Sequence, residues 1–188
     1  MRESSDNGQM AAAVTALQRG GVIAYPTEGV WGLGCNPDDA TALSRLIALK
    51  GRASDKGLIL IAGEIAQLEP WLAGIDSEAR ERLEASWPGP NTWLIPDNGR
   101  AQALLHGAHP TLAVRVSDHP LVRELCAAWG GALVSTSANR AGEAPAMSGD
   151  AIRTLFGDAV DVVVDGALGG RDRPSTIRDL ASNRTLRE

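Results

Sequence analysis

The segment Gly57-Leu58-Ile59-Leu60-Ile61 constrains the fold of this chain more than any other. It is continuously apolar, without the alternation of a strand that shows one face to water. A cationic loop precedes it and a helix-like stretch follows it. Such a run reads as a strand covered on both faces, and that cover implies helices packed on a sheet. Helical and strand-like periodicities alternate along the 188 residues, with no internal repeat and no low-complexity linker. The expected architecture is α/β, a single domain over residues 1–188. That length buries a core without metal or disulfide staples.

A first helix is expected from Gln9 to Arg19, closed by Gly20-Gly21, and then a strand over Val22-Ile23-Ala24-Tyr25 stopped by Pro26. Asp38-Asp39 caps a second helix running to Leu49, with Leu43, Leu46, Ile47 and Leu49 on its apolar face. Further helices are expected over Glu64 to Leu72, Asp76 to Ser86, Pro120 to Trp129 and Ser148 to Phe156, and a turn at Trp87-Pro88-Gly89-Pro90. Strands are expected over Thr92 to Ile95, Leu112 to Val116, Ala132 to Ser135, Val160 to Val164, Thr176 to Leu180 and around Leu186.

Several chemistries are excluded or disfavoured. No apolar run approaches the roughly 18 residues of a membrane span, and Met1 to Asn7 lacks the apolar core of a signal peptide. With two cysteines, Cys35 and Cys126, that form no CxxC pair, a reducing cytoplasmic location is expected. No GxxxxGK[ST] is present, and Pro37 stands where the third glycine of a dinucleotide fingerprint begun by Gly32-Leu33-Gly34 belongs. His106, His109 and His119 have no metal-ligand spacing and are assigned loop or cap roles, and no GxSxG elbow is present.

What remains is a set of polar segments at strand ends, where open α/β sheets bind ligands. Tyr25-Pro26-Thr27-Glu28-Gly29-Val30-Trp31-Gly32-Leu33-Gly34 is either a tight glycine-rich connection with Trp31 in the core, or a loop offering Thr27 and exposed amides to a ligand. Lys50-Gly51-Arg52-Ala53-Ser54-Asp55-Lys56 gathers three cations suited to a polyanion such as a triphosphate; the helix dipole accounts for Lys50 alone. These two lysines are the only ones among 18 basic residues. Leu133-Val134-Ser135-Thr136-Ser137-Ala138-Asn139 switches from apolar residues to hydroxyls and an amide, as a turn or as an oxyanion-binding strand end. Pro174-Ser175-Thr176-Ile177 lies among Arg171, Arg173, Arg178 and Arg187. Arg115, alternating with Leu112, Val114 and Val116, needs a partner: a fixed salt bridge or an anionic ligand.

Taken in order, Tyr-Pro-Thr-Glu at 25–28 with Gly-Leu-Gly at 32–34, Lys-x-Arg at 50–52, Asp-Lys-Gly-Leu-Ile at 55–59, Trp-Pro-Gly-Pro at 87–90, Ala-Val-Arg-Val at 113–116, Ser-Thr-Ser-Ala-Asn at 135–139 and Pro-Ser-Thr-Ile at 174–177 resemble the YrdC-like family in its short bacterial form. The resemblance covers nearly the whole chain. It implies a mixed, twisted sheet with flanking helices and a large concave pocket. The implied activity joins L-threonine, bicarbonate or CO2 and ATP into threonylcarbamoyl-AMP and pyrophosphate, with Mg2+ accompanying ATP and no metal ligands from protein side chains. The product would pass to a tRNA threonylcarbamoyltransferase complex for modification beside the anticodon, with weak tRNA contact and no membrane. On the same resemblance Thr27, Thr136 and Ser175 hold threonine, and Lys50, Arg52, Lys56, Arg115, Ser137, Asn139 and Arg187 hold ATP. Lys50 and Arg52 would act catalytically on the phosphates. The rival readings are an RNA-binding module of the same type, which a net charge of −5 disfavours, and carbamoyl-adenylate formation with another acceptor.

Overall fold

The computed structural model describes residues 2–187, with side chains from Gly8 onward. The first helix, α1 (Arg2–Gln18), begins well before the expected Gln9, because the polar stretch ahead of it carries no apolar face for periodicity to detect. It leads into a hairpin, β1 (Ile23–Pro26) and β2 (Trp31–Gly34). In α2 (Ala40–Lys50) the Asp39 carboxylate accepts from the Thr41 and Ala42 amides at 2.9 and 3.0 Å, a cap worth about 1 kcal/mol. Gly51, at φ 57°, closes α2 in the left-handed region.

A 3-10 turn (Ser54–Lys56) precedes β3 (Ile59–Ala62), the strand on which the sequence reading rests. The single helix expected over 64–72 is a 3-10 turn (Ile65–Leu68) followed by the short α3 (Glu69–Leu72), with Pro70 in its first turn. Then come α4 (Ser77–Ser86), capped by Asp76, β4 (Asn91–Pro96), and the four-residue α5 (Ala103–His106), too short to show a period. The remainder is β5 (Thr111–Val116), α6 (Pro120–Trp129), β6 (Leu133–Ser137), α7 (Gly149–Phe156), β7 (Val162–Val163), β8 (Thr176–Asp179) and β9 (Thr185–Arg187).

These strands form one mixed nine-stranded sheet in the order β7-β1-β2-β6-β3-β5-β4-β8-β9. β3 runs parallel to β5 and antiparallel to β6, at the sheet centre, with Ile59 opposite Ala113 and Ser135. One face buries Leu33, Leu60, Trp93, Val114 and Val134 with Leu43 and Leu46 of α2. The opposite face is covered over only part of its width: Ile23, Tyr25, Ile61 and Leu133 pack against Ala13 and Leu17 of α1 and Val122, Leu125 and Cys126 of α6.

β2 is a departure from the sequence reading, which treated Trp31 to Gly34 as a connection. Gly34 is required by close approach: a Cβ there would stand 2.5 Å from the Val134 carbonyl oxygen and 2.8 Å from Tyr25 Cε1. The strand thus carries only glycines on the face toward Tyr25, and its four residues, half of them glycine, read as a connection.

Candidate active site

Where α1 and α6 stop covering the sheet, the strands change chemistry. Buried Tyr25 is followed on the same side by Thr27, and Leu133 by Ser135 and Ser137; Ile61 is preceded by Ile59. The uncovered region is a cavity of about 720 Å3, within the size range of small-molecule sites. Its floor runs across the strands through Ile59, Ala113, Arg115, Leu94 and Ile177 to Arg187. Thr27, Ser135, Thr136, Ser137 and Ser175 line it, and Arg52 and Lys56 enter from the loop after α2.

Of the residues expected to bind ligand, the structure brings Thr27, Arg52, Lys56, Arg115, Thr136, Ser137, Ser175 and Arg187 together around this cavity. Lys50, expected at the phosphates, and Asn139, expected to hold ATP, are placed one layer behind it. Lys50 is 3% exposed. Its ammonium donates to the Ser137 carbonyl, to Ser137 Oγ at 3.4 Å and to Asn139 Oδ1 at 3.0 Å. Ser137 Oγ also donates to Asn139 Oδ1 at 2.6 Å, and the Asn139 amide ties back to the carbonyls of Arg140 and Glu143. Burial, with the Arg52 charge nearby, pushes the Lys50 pKa down to about 8. Lys50 therefore fixes the Ser-Thr-Ser-Ala-Asn turn from behind.

Arg52 is held by the same logic at the surface of the cavity, donating to the Gly57 carbonyl at 2.7 Å. Burial lowers its pKa somewhat against the pull of Asp55, yet a guanidinium keeps its proton. Ser175 accepts or donates a 2.8 Å hydrogen bond with Thr92, which is fully buried, and its carbonyl accepts from Arg187 at 3.0 Å. Thr27 donates to the Val30 carbonyl at 2.7 Å, closing the turn between β1 and β2.

Arg115 has the salt bridge the sequence left open. Its Nη2 donates to Glu28 Oε2 at 3.0 Å, with side-chain exposures of 12% and 4%. Among the described residues Arg52, Lys56, Arg173 and Arg187 line the cavity with no carboxylate in salt-bridge range, whereas Arg171 pairs with Asp118 at 2.7 Å. The cavity thus keeps uncompensated positive charge beside a hydroxyl-rich wall, an arrangement for an anionic ligand carrying polar oxygens.

Sequence reasoning missed several lining residues. His106 and His109, given loop or cap roles, border the cavity because Leu58 donates to Leu105 and Ala108 to Asp55, which sews the two loops together. Glu28, quoted within a motif but given no role, and Thr92, which lies behind the wall against Ser175, could be found only through partners far away in the chain.

A family model described as telomere recombination, Sua5/YciO/YrdC, matches residues 15–188. The chain belongs to the Sua5/YciO/YrdC family. The resemblance read from the motifs is thereby borne out. Among its relatives, the threonylcarbamoyl-AMP synthase of Chromohalobacter salexigens is 68% identical over 187 residues, covering all of both chains. That of Cellvibrio japonicus is 48% identical over 187 residues, 100% of this chain and 99% of its own. Two solved members share the fold. P. abyssi Sua5 complexed with L-threonine superposes with a TM-score of 0.84 at 30% identity, over 92% of this chain and 51% of the archaeal one. E. coli YciO superposes with a TM-score of 0.82 at 25% identity, over 95% and 88%. This family domain therefore spans about half of the archaeal Sua5 chain and nearly all of YciO.

Proposed function

We propose that this chain is an L-threonylcarbamoyladenylate synthase, which makes threonylcarbamoyl-AMP and pyrophosphate from L-threonine, bicarbonate or CO2 and ATP. The observation that carries the reading is the cavity itself, lined by the hydroxyl residues Thr27, Thr136, Ser137 and Ser175 and by Arg52, Lys56, Arg173 and Arg187, which among the described residues have no carboxylate in salt-bridge range. Two full-length relatives bear this activity as their name, and the P. abyssi relative holds L-threonine.

In this reading Thr27, Thr136 and Ser175 hold threonine, and Arg52, Lys56, Arg115, Ser137 and Arg187 hold the nucleotide. Lys50 and Asn139 act through the turn they brace. The neutral threonine amine attacks the carbon of CO2, forming the N–C bond and giving up a proton to solvent. A carbamate oxygen then attacks the α-phosphorus: a new P–O bond forms, the bond to the bridging oxygen breaks, and pyrophosphate leaves with that electron pair.

Glu28, buried in the wall, has both carboxylate oxygens engaged, by Arg115 and Ser117. The protein contributes position and charge, with Arg52 and Lys56 offsetting the charge that grows on the α-phosphate and on pyrophosphate. Mg2+ enters with ATP; among the described residues no three His, Cys, Asp or Glu converge as a metal site.

The enzyme works in the cytoplasm and hands its product to a tRNA threonylcarbamoyltransferase complex; among the described residues no helix is long and apolar enough to cross a membrane. Pyrophosphate release from ATP is the test. It should require both threonine and bicarbonate, and release that is independent of threonine would refute the assignment.

A further inference from the structure

Glu28 is 3% exposed, and each of its carboxylate oxygens accepts a hydrogen bond. Oε2 accepts from Arg115 Nη2 at 3.0 Å and Oε1 accepts from Ser117 Oγ at 2.6 Å. Ser117, also buried, accepts in turn from the His119 amide at 3.1 Å, at the start of α6. The backbone of the Glu28 turn is clamped from outside. Gly169 donates to the Thr27 carbonyl at 3.1 Å and Arg171 to the Glu28 carbonyl at 2.9 Å. A Cβ on Gly169 would come within 2.9 Å of Glu28 Cα, so the segment lies directly on the turn. Glu28 is therefore fixed at both its backbone and its carboxylate.

Of the side chains in this assembly Glu28 and Arg115 both border the cavity, and Arg115 is the one with donors to offer an anion. Its Nε is buried without a partner and its Nη2 is committed to Glu28, which leaves the Nη1 edge for a ligand. Resting on the reaction proposed above, we propose that Glu28, braced by Ser117, is a positioning residue that holds the Arg115 guanidinium with its free edge toward an anionic oxygen of a substrate, the threonine carboxylate or a nucleotide phosphate. A guanidinium on a flexible stem would otherwise have to be ordered at each binding event, and a fixed one is pre-organised.

The sign of the effect separates this role from simple electrostatics. Glu28→Gln keeps the shape and removes a negative charge next to the cavity, so charge alone would tighten anion binding. The positioning role requires the opposite. Calorimetric titration of ATP and of threonine, each separately, should show one of them bound about tenfold or more weakly by Glu28→Gln, the scale of a lost charge-assisted contact. The ligand that weakens identifies the oxygen as phosphate or carboxylate.

Steady-state pyrophosphate release should lose kcat/KM by a similar factor. The Glu28→Gln loss should shrink to less than about twofold in an Arg115→Ala background, since residues acting as one unit are not additive. Ser117→Ala, which strands no charge, should move the same parameter in the same direction and serves where a Glu28 or Arg115 variant fails to fold by thermal melting. Wild-type or tighter binding by Glu28→Gln and Ser117→Ala, or a loss repeated in full without Arg115, overturns the proposal. A wild-type enzyme that binds these ligands but releases no pyrophosphate overturns the reaction, and leaves the binding titrations to decide this inference.

Discussion

The buried ammonium of Lys50 makes a quantitative prediction about stability and pH. Its pKa is about 8 in the fold and 10.5 in an unfolded chain, because burial, with Arg52 nearby, disfavours the charge. Below pH 8 both states are protonated and the fold carries the whole cost. Between pH 8 and 10.5 the unfolded chain binds more protons than the folded one, so stability gained from this residue rises with pH. The two pKa values give a gain of about 1.4 kcal/mol by pH 9 and about 2.5 kcal/mol by pH 10.

Other groups run the other way. The thiols of Cys35 and Cys126 are pushed up to about 12 by burial, and burial raises Tyr25 as well, so above pH 9 each favours the unfolded chain, where it ionises sooner. The raw profile therefore mixes opposite slopes, and the difference between wild type and Lys50→Met isolates the lysine. Urea unfolding of both proteins from pH 7 to 10 should show wild type gaining on the variant with the magnitudes above. A difference that stays flat, or that falls with pH, would refute the placement of a charged Lys50 inside the wall.

The remaining outcomes concern the cavity and its supports. Arg52→Ala should lower pyrophosphate release by about ten- to over a hundredfold, the kinetic equivalent of one charge-assisted contact at about 1.5–3 kcal/mol, with little change in melting temperature. An Arg52→Ala enzyme with full turnover would remove Arg52 from the phosphate site. Ser175→Ala should raise the threonine requirement and also destabilise by about 1–3 kcal/mol, because it orphans the buried Thr92 hydroxyl. Adding Thr92→Val should restore stability but not threonine affinity, and recovery of both would show that Ser175 is structural only. Lys50→Arg places a larger, planar head among acceptors that converge on one nitrogen. It should cost about 1–3 kcal/mol, each kcal/mol lowering the melting temperature by about 2–4 °C, while the exposed Lys56→Arg should melt as wild type.

Most of the fold was legible because its signals are local. The Asp39 and Asp76 caps, the alternation through Leu112, Val114 and Val116, and the unbroken apolar run of β3 each announce an element within a few residues. What escaped has a physical reason in each case. β2 is four residues long and half glycine, Gly34 making room for Tyr25, and α5 has four residues, too few to show a period. At the site, motif order placed Thr27, Arg52, Lys56, Arg115, Thr136, Ser137, Ser175 and Arg187 around one cavity without indicating which groups face inward. Lys50 meets Ser137 and Arg115 meets Glu28, each across 87 positions in the chain. Whether a cation is compensated depends on such pairings, and no local pattern encodes them.

The two lysines show how composition and structure divide that question. Both stand within seven residues of an arginine-rich chain, a spacing that suggests a shared ligand. The fold separates them. Lys56 lies at the cavity with no carboxylate in salt-bridge range among the described residues, and Lys50 turns inward to a carbonyl, a hydroxyl and an amide oxygen. A compact ammonium donates in three directions from one atom, whereas a guanidinium spreads its donors over a planar fork. The inward position thus has a geometric reason to be lysine that has nothing to do with phosphate. At Arg115 the requirement is reversed: one edge of a rigid plane must engage Glu28 while another remains open to the cavity, and only a guanidinium has two edges to offer.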